Sequence, residues 1–553
     1  MEKTLELFIL IPIAGFIVSL LIPQKNEGLL SKSAFLTIGI HLASAITFLG
    51  YWLLNNHPIL NLKDIVIFKT SDYEFFIDFC FDNITAVYLV VGALLTFLVT
   101  VYSRVYLHKE HGYKRFFNAI LLFYLGYTII IFSGNLETLF IGWEILGVSS
   151  FLLIAFYRER YLPVKNAVKV FSIYRIGDLG LILAMWLSHH LWHENITFLK
   201  LNNYELVHEH LATHSTIGVL ISLFILLTAV AKSAQLPFSH WLPRAMEGPT
   251  PSSAIFYGSL SVHIGVFLLL RTFPFWEHQL SVRILIVIIG LSTSIIASVT
   301  AHVQSSVKSQ IAYASIAQIG LIFIEVSLGL KHLALFHFSG NAFLRTYQLL
   351  VSPSVVSYLI KEQFYKFSPQ IQHTQNTFYN KIKNSIYVLC VKEWNLDTAM
   401  YRFLWNPLKS AGNKLNFKNN KQITLFFSLL FTTGVICLLI EKYIPAYIHN
   451  LLPPLFSIVG LIMVLKSFTE RKNVQLSWIL IIANHFWIGL AISFNEHFTI
   501  NDTLMYLSGI FICGVAGVIC LFYLQSKESN VGLNRFYGHI YEYPKLAIIF
   551  LIC

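Results

Sequence analysis

Acidic, basic and imidazole side chains recur inside stretches of this sequence that are otherwise apolar. Glu144 lies in IGWEILG, Arg175 and Asp178 in IYRIGDLG, and Lys232 in TAVAKSAQLPFSHWLP, where Pro237 and Pro243 follow. Lys308 opens a further apolar run, Glu325 stands near its other end, and His337 and Arg345 share the next one. A charge in the middle of a bilayer costs about 2.5–3.5 kcal/mol on insertion scales, so each of these groups needs a partner, a water-filled cavity or a function. Arg175 and Asp178 are three apart, share a helix face and neutralise one another.

The surroundings of Lys232 suit proton chemistry best. Pro237 donates no backbone hydrogen bond and crowds the preceding turn, so it breaks or kinks a helix beside the lysine. Irregular backbone at membrane depth survives only inside protein or beside a wet cavity. Taking an ammonium out of water makes it easier to deprotonate, and a nearby carboxylate opposes that. A Glu–Lys pair of variable separation is therefore a switch, and Glu144 with Lys232 is the expected pair. The competing account is a static ion pair that keeps two helices in register. Ionisable groups on at least five helices weigh against it, because apolar residues would serve a static protein equally well.

The elements that must position these groups follow from composition. The 553 residues are 56% hydrophobic and 12% charged, about half the charged share of a soluble domain, with a mean hydropathy of +0.65. Apolar runs long enough to cross a bilayer predict an all-α, polytopic membrane helix bundle of about sixteen transmembrane helices, one of them broken near Lys232 and Pro237. The first run, within residues 1–23, reads as a transmembrane helix and not as a cleaved signal peptide. The net charge of +11 is spread over short patches between the runs, as membrane topology requires, and forms no aromatic-interleaved basic stripe for nucleic acid.

Alternate loops are basic, including those with Lys25, Lys32, Arg104, Lys114, Arg158, Arg244, Lys472 and Arg535. The intervening loops are acidic or histidine-rich, with Asp72, Glu74 and Asp78 in one and Glu194, Glu205 and Glu209 in another. The bias predicts a multi-pass protein of a bacterial inner membrane with its N-terminus outside. From Lys361 to Lys421 there are ten Lys/Arg against three Asp/Glu, which predicts a cytoplasmic segment. Within it, residues 387–408 have the spacing of an amphipathic helix, suited to the membrane surface or a docked partner, or to a plain linker.

Four regions result: N-terminal helices and an outer loop over 1–74, an ion-translocation core over 75–360, a basic segment over 361–422, and C-terminal helices over 423–553. The six cysteines form no CxxC pair, and His189, His190, His193, His208, His210 and His214 fit no standard metal spacing.

Several longer strings carry a family resemblance: FDNITAVYLVV at Asp82, HGYKRFF from His111, GNLETLFIGWEILGVSSFLLIAFY around Glu144, KNAVKVFSIYRIGDLGLILA around Arg175, AKSAQLPFSHWLPRAMEGPTPSSA from Ala231, and VKSQIAYASIAQIG around Lys308. Over roughly residues 75 to 350 the chain resembles the NuoL-type antiporter-like subunits of respiratory complex I, a type shared with Mrp antiporters and membrane-bound hydrogenases. The resemblance implies that Glu144 and Lys232 are the ion-pair carboxylate and lysine of a proton channel. It also implies that Lys308 and His337 form the central relay, and that Arg175 and Asp178 are an accompanying polar pair.

There are departures from the family pattern. Tyr257 stands where complex I subunits carry a histidine, with His263 further along in IFYGSLSVHIG. NAFLRTYQ replaces HAFFKA, placing Asn341 for histidine and Arg345 for lysine. Arginine does not release its proton, so Arg345 is expected to be a fixed electrostatic gate. No segment of the PLxxGFxSKDE type follows Leu350, which suggests a relative shortened at that end.

These variants look like the subgroup represented by DabB, also called MpsA, membrane subunits of two-component inorganic carbon transporters. That resemblance implies a cation-conducting subunit, not itself an enzyme. It would couple proton or sodium influx to CO2 hydration on a large cytoplasmic DabA-like zinc protein resembling a β-carbonic anhydrase. The zinc is expected on that partner, and no cofactor is expected in this chain. The alternative is an ion-pumping subunit of a complex I-like oxidoreductase, a membrane hydrogenase or a Mrp cation/proton antiporter.

Overall fold

A computed structural model describes residues 2–69, 74–213, 215–366, 378–415, 420–440, 443–494, 500–528, 530–533 and 538–553. Asp72, His214, Arg535 and, within the basic segment, residues 367–377 and 416–419 lie outside the described residues. The described chain falls into two compact units, Met1–Leu396 and Asp397–Cys553. Among the described residues, thirteen helices are long and apolar enough to cross a membrane. Three further runs read as spans in the sequence stand outside that set: Lys331–Lys366 is a 36-residue helix, Asn420–Leu439 a 20-residue helix and Pro544–Ile552 a helix of nine residues.

In the first unit, α1 (Leu5–Leu21) and α2 (Glu27–Leu54) precede a two-stranded antiparallel hairpin, β1 (Leu60–Lys69) and β2 (Glu74–Phe81). The hairpin qualifies the all-α expectation, which had treated this stretch as loop. Its signal was available in the alternation of Leu60, Leu62, Val66 and Phe68 and in the aromatic-rich EFFIDFCF, both strand features. Then follow α3 (Asn83–Tyr106), α4 (Tyr113–Phe132), α5 (Leu136–Ile154), α6 (Tyr161–Trp192), the short α7 (Phe198–Leu201) and α8 (Tyr204–Thr213), and α9 (Ser215–Lys232). Two of the starts are capped alike: Asp82 accepts from the Thr85 amide (3.0 Å) and Asn135 from the Thr138 amide (2.8 Å), satisfying donors that a helix start leaves free.

After α9 come α10 (Trp241–Ala245) and α11 (Thr250–Ser252), a π-helical segment Ser253–Leu260, and α12 (Ser261–Trp276). The span Thr250–Trp276 is buried along its whole apolar length and forms the centre of the unit. Around it stand α13 (Leu280–Val303), α14 (Val307–Ser327) and α15 (Lys331–Lys366), and α16 (Phe378–Val391) follows. The single amphipathic helix expected over 387–408 is instead interrupted, because Glu393, Trp394 and Asn395 all take positive φ.

The second unit holds α17 from Leu396 to Met400, a π-helical turn, α18 (Asn406–Lys414), α19 (Asn420–Leu439), α20 (Ala446–Thr469), α21 (Val474–Ser493), α22 (Ile500–Lys527), α23 (His539–Glu542) and α24 (Pro544–Ile552). Its core packs Phe456, Val459 and Met463 of α20 against Trp487 and Leu490 of α21.

Candidate functional site

Close helix crossings place the charged residues. Gly177 and Gly180 of α6 meet Thr228 of α9: Thr228 Oγ1 donates to the Gly177 carbonyl (2.8 Å), and a Cβ on Gly180 would lie 2.6 Å from Thr228 Oγ1 and 2.9 Å from the Phe224 carbonyl. Gly142 of α5 meets Gly126 of α4 in the same way, a Cβ there falling 2.7 Å from the Gly126 carbonyl. With no side chain between the backbones, α5 packs closely on α4 and the middle of α6 on the C-terminal part of α9.

As expected, α9 breaks at the lysine: its last residue is Lys232 and regular helix resumes only at Trp241. Ala234 has φ 52 and the Leu236–Pro237 peptide is cis. Much of the freed backbone is re-bonded. Trp241 Nε1 donates to the Ala231 carbonyl (2.9 Å), the Leu236 amide to Thr293 Oγ1 (3.0 Å) and Gln235 Nε2 to the Ser233 carbonyl (3.0 Å). Ser233 Oγ and Gln235 Oε1 remain buried without protein partners, facing Gly265 of α12 and Gly320 of α14. Buried polar atoms of this kind are where ordered water binds.

The expected pairing of Glu144 with Lys232 is corrected by the geometry. Glu144 is held by Arg175 in a two-pronged pair, Nη1 to Oε1 at 3.0 Å and Nη2 to Oε2 at 2.5 Å. Arg175 Nε also reaches Asp178 Oδ2 at 3.2 Å, the pairing the i, i+3 spacing predicts. The planar guanidinium thus bridges two carboxylates, a geometry it suits better than an ammonium does.

Lys232 is 2% exposed and its Nζ has no hydrogen-bond partner. It lies 4.2 Å from the centre of the Tyr174 ring and 4.7 Å from that of Trp143. Trp143 Nε1 donates to Asp178 Oδ1 (2.7 Å), so Asp178 shares this ring with the lysine, and the charges of both Asp178 and Glu144 reach Lys232. Neither Trp143 nor Tyr174 was singled out in the sequence, although each adjoins a charged residue that was. Tyr257, in the π-helical segment, closes the cluster: it donates to the Ser150 carbonyl (3.3 Å) and packs on Trp241, which packs on Tyr174.

The remaining candidates form separate groups. Lys308 Nζ reaches the carbonyls of Met246 (3.4 Å) and Gly248 (3.3 Å). His337 bonds to Glu325 Oε1 through Nδ1 (2.7 Å) and to Gln318 through Nε2 (2.9 Å), so its partner is the carboxylate of α14 and not Arg345 of its own helix. His263 takes a hydrogen bond from Asn341 Nδ2 (3.1 Å) on one ring nitrogen and contacts the Ser259 carbonyl with the other. Arg345 is fixed by Asn341 (3.1 Å), Gln348 (2.7 Å) and the Ala314 carbonyl (3.3 Å), a cation held by three neutral acceptors.

The family described as NADH:quinone oxidoreductase/Mrp antiporter, transmembrane, matches residues 133–367, and the chain 5 N-terminus family of NADH-ubiquinone oxidoreductase (complex I) matches residues 68–117. The core of this chain is thus similar to the NuoL/Mrp-type antiporter-like family. Among members of this family, NADH-ubiquinone oxidoreductase chain 5 of Halichoerus grypus is 33% identical over 288 residues, covering 52% of this chain and 46% of that protein. Chain 5 of Neurospora crassa is 30% identical over 369 residues, covering 65% and 50%. The chain therefore spans about half the length of the curated relatives it matches.

The antiporter-like fold recurs in solved structures. The Mrp complex from Dietzia sp. DQ12-45-1b aligns with a TM-score of 0.59 at 14% identity, over 99% of this chain and 75% of that one. The archaeal membrane-bound sulfane sulfur reductase aligns with a TM-score of 0.52 at 20% identity, over 63% and 70%. The Glu144, Arg175, Asp178, Lys232, Lys308 and His337 groups all lie inside the 133–367 match.

Proposed function

We propose that this chain is an ion-translocating membrane subunit of the complex I/Mrp type, moving protons through the Lys232 cluster towards Lys308, His263 and His337. The observation that carries the reading is Lys232 itself: an ammonium sealed in protein at the end of a broken helix, seated on two aromatic rings and not on a carboxylate. A charge held in this way is poised to move, because the ring seat supplies about 2 kcal/mol when desolvated and leaves Asp178 available as an alternative host. Arg175 keeps its own proton throughout and fixes where the carboxylates stand. Arg345, equally fixed, repels a second cation and so limits back-flow along α15.

In membrane vesicles carrying the wild-type chain, an imposed potential drives proton movement reported by an entrapped pH dye. Glu144→Ala leaves Arg175 free to take Asp178 alone and lowers that flux to background. Undiminished flux in this variant rejects the reading.

A finer reading, coupling to a DabA-like zinc partner in inorganic carbon transport, rests on Tyr257, His263, Asn341, Arg345 and the basic segment over 361–422. The relatives named by comparison are respiratory and Mrp subunits, which favours the oxidoreductase or antiporter assembly over that partner. Residence in a bacterial inner membrane with 361–422 on the cytoplasmic side belongs to the same proposal and rests on the loop charge bias.

A further inference from the structure

Two carboxyls outside the Lys232 cluster are buried with no counter-ion. Asp78 on β2 is fully buried, and Glu137 in the first turn of α5 is 8% exposed. One stretch of chain, Gly134 to Thr138, holds both. The Asp78 amide donates to Thr138 Oγ1 (3.0 Å), the Gly134 amide donates to the Asp78 carbonyl (2.7 Å), and a Cβ on Gly134 would strike Asp78 Oδ2. Glu137 Oε2 has no hydrogen-bond partner. Asn61, with its amide turned to satisfy both neighbours, donates to Asp78 Oδ1 (3.2 Å) and to the Phe79 carbonyl (3.0 Å).

The cations nearby are already engaged. Lys63 is the register partner of Asp78 across the hairpin, but its ammonium bonds Glu74 at 2.8 Å. Arg271 of α12 is paired with Asp82 at 2.6 Å. Cys80, on the same face of β2, carries a thiol and no charge to offset a carboxylate. Among the described residues no ion pair reaches Asp78 or Glu137.

An ionised carboxylate sealed from water without a counter-ion costs more than the start of a helix returns to it. The economical state of such a pair is protonated, or closed around a cation. Burial raises the Asp78 carboxyl to about 7, against the opposing pull of Lys63 and of the Phe79 amide.

We propose that Asp78 and Glu137 form a proton-holding site beneath the β1–β2 hairpin, at the α5 start, where the chain loads the ion it passes to the Lys232 cluster. The loading role rests on the translocation reading above; the site itself does not. The step is a proton transfer alone: hydronium gives up a proton to a carboxylate oxygen and is left as water, and the carboxyl later returns the proton to water, as hydronium, or to the next acceptor inward.

Infrared difference spectra of the full chain in membranes, titrated from about pH 5 to about pH 9, test it. The wild type is expected to keep a protonated-carboxyl stretch near neutral pH that fades as the pH rises. Asp78→Asn and Glu137→Gln should each diminish it, and exchange of potassium for sodium should leave it unchanged. A wild-type spectrum without that band above about pH 6 overturns the proposal without requiring either variant to fold. So does loss of the band in sodium, which would identify a metal cation at the site. Lys232→Ala should lose flux and keep the band, so failure of the relay and failure of this site give different results.

Discussion

At the scale of single residues, the site is a competition between two cations for two carboxylates, and shape decides it. Arg175 takes both with a planar fork, and Lys232 is left to the rings of Tyr174 and Trp143. If the ring seat sets the resting position of the ammonium, the ring matters and the phenol oxygen does not. Tyr174→Phe should therefore retain proton flux. Tyr174→Leu should lower it on the order of tenfold, the equivalent of about 1.4 kcal/mol of lost cation–π stabilisation; equal flux in the two variants would remove the seat from the mechanism. The candidate residues were legible in the sequence because a charge inside an apolar run is conspicuous. Their pairing was not, since Arg175 and Lys232 carry the same sign and only the rotation of α6 against α5 and α9 determines which faces Glu144. Asp78 reads in the sequence only as one acid of an outward loop and Glu137 does not stand out, because acids near the ends of apolar runs look like ordinary loop charges until burial is known.

At the scale of elements, the site depends on how near α6 comes to α9. Gly180 lets Thr228 and the Phe224 carbonyl approach to where a methyl group would stand. Gly180→Ala should force the helices apart at a cost of about 1–3 kcal/mol, typical of overpacking, seen as a lower midpoint of thermal unfolding in detergent together with reduced flux. An unchanged midpoint would mean that the crossing tolerates the methyl group. The end of α9 at Lys232 was readable from Pro237, because a missing amide donor has a local consequence. The β1–β2 hairpin was passed over because a ten-residue strand between long helices was weighed as loop, although its alternation was present. The π-helical turn at Tyr257 has no sequence signature of its own: it reflects packing at the fully buried centre of the unit.

At the scale of the whole molecule, ten of the thirteen apolar helices found among the described residues, and the matched core over residues 133–367, belong to the first unit, which carries all the ionisable groups of the candidate site. Hydropathy sufficed for that architecture because a bilayer imposes a minimum span length. It did not suffice for the helix from Lys331 to Lys366, where His337, Asn341, Arg345 and Gln348 interrupt the apolar run and which stands outside the apolar set. Translocation by this route requires Lys232 to carry the moving proton. The most direct measurement is potential-driven proton flux in membrane vesicles bearing Lys232→Met, a side chain of similar length with no ionisable group, at protein levels matched to wild type. Flux is expected at the level of vesicles lacking the chain, the outcome if Lys232 carries the moving proton. Flux equal to wild type would contradict it.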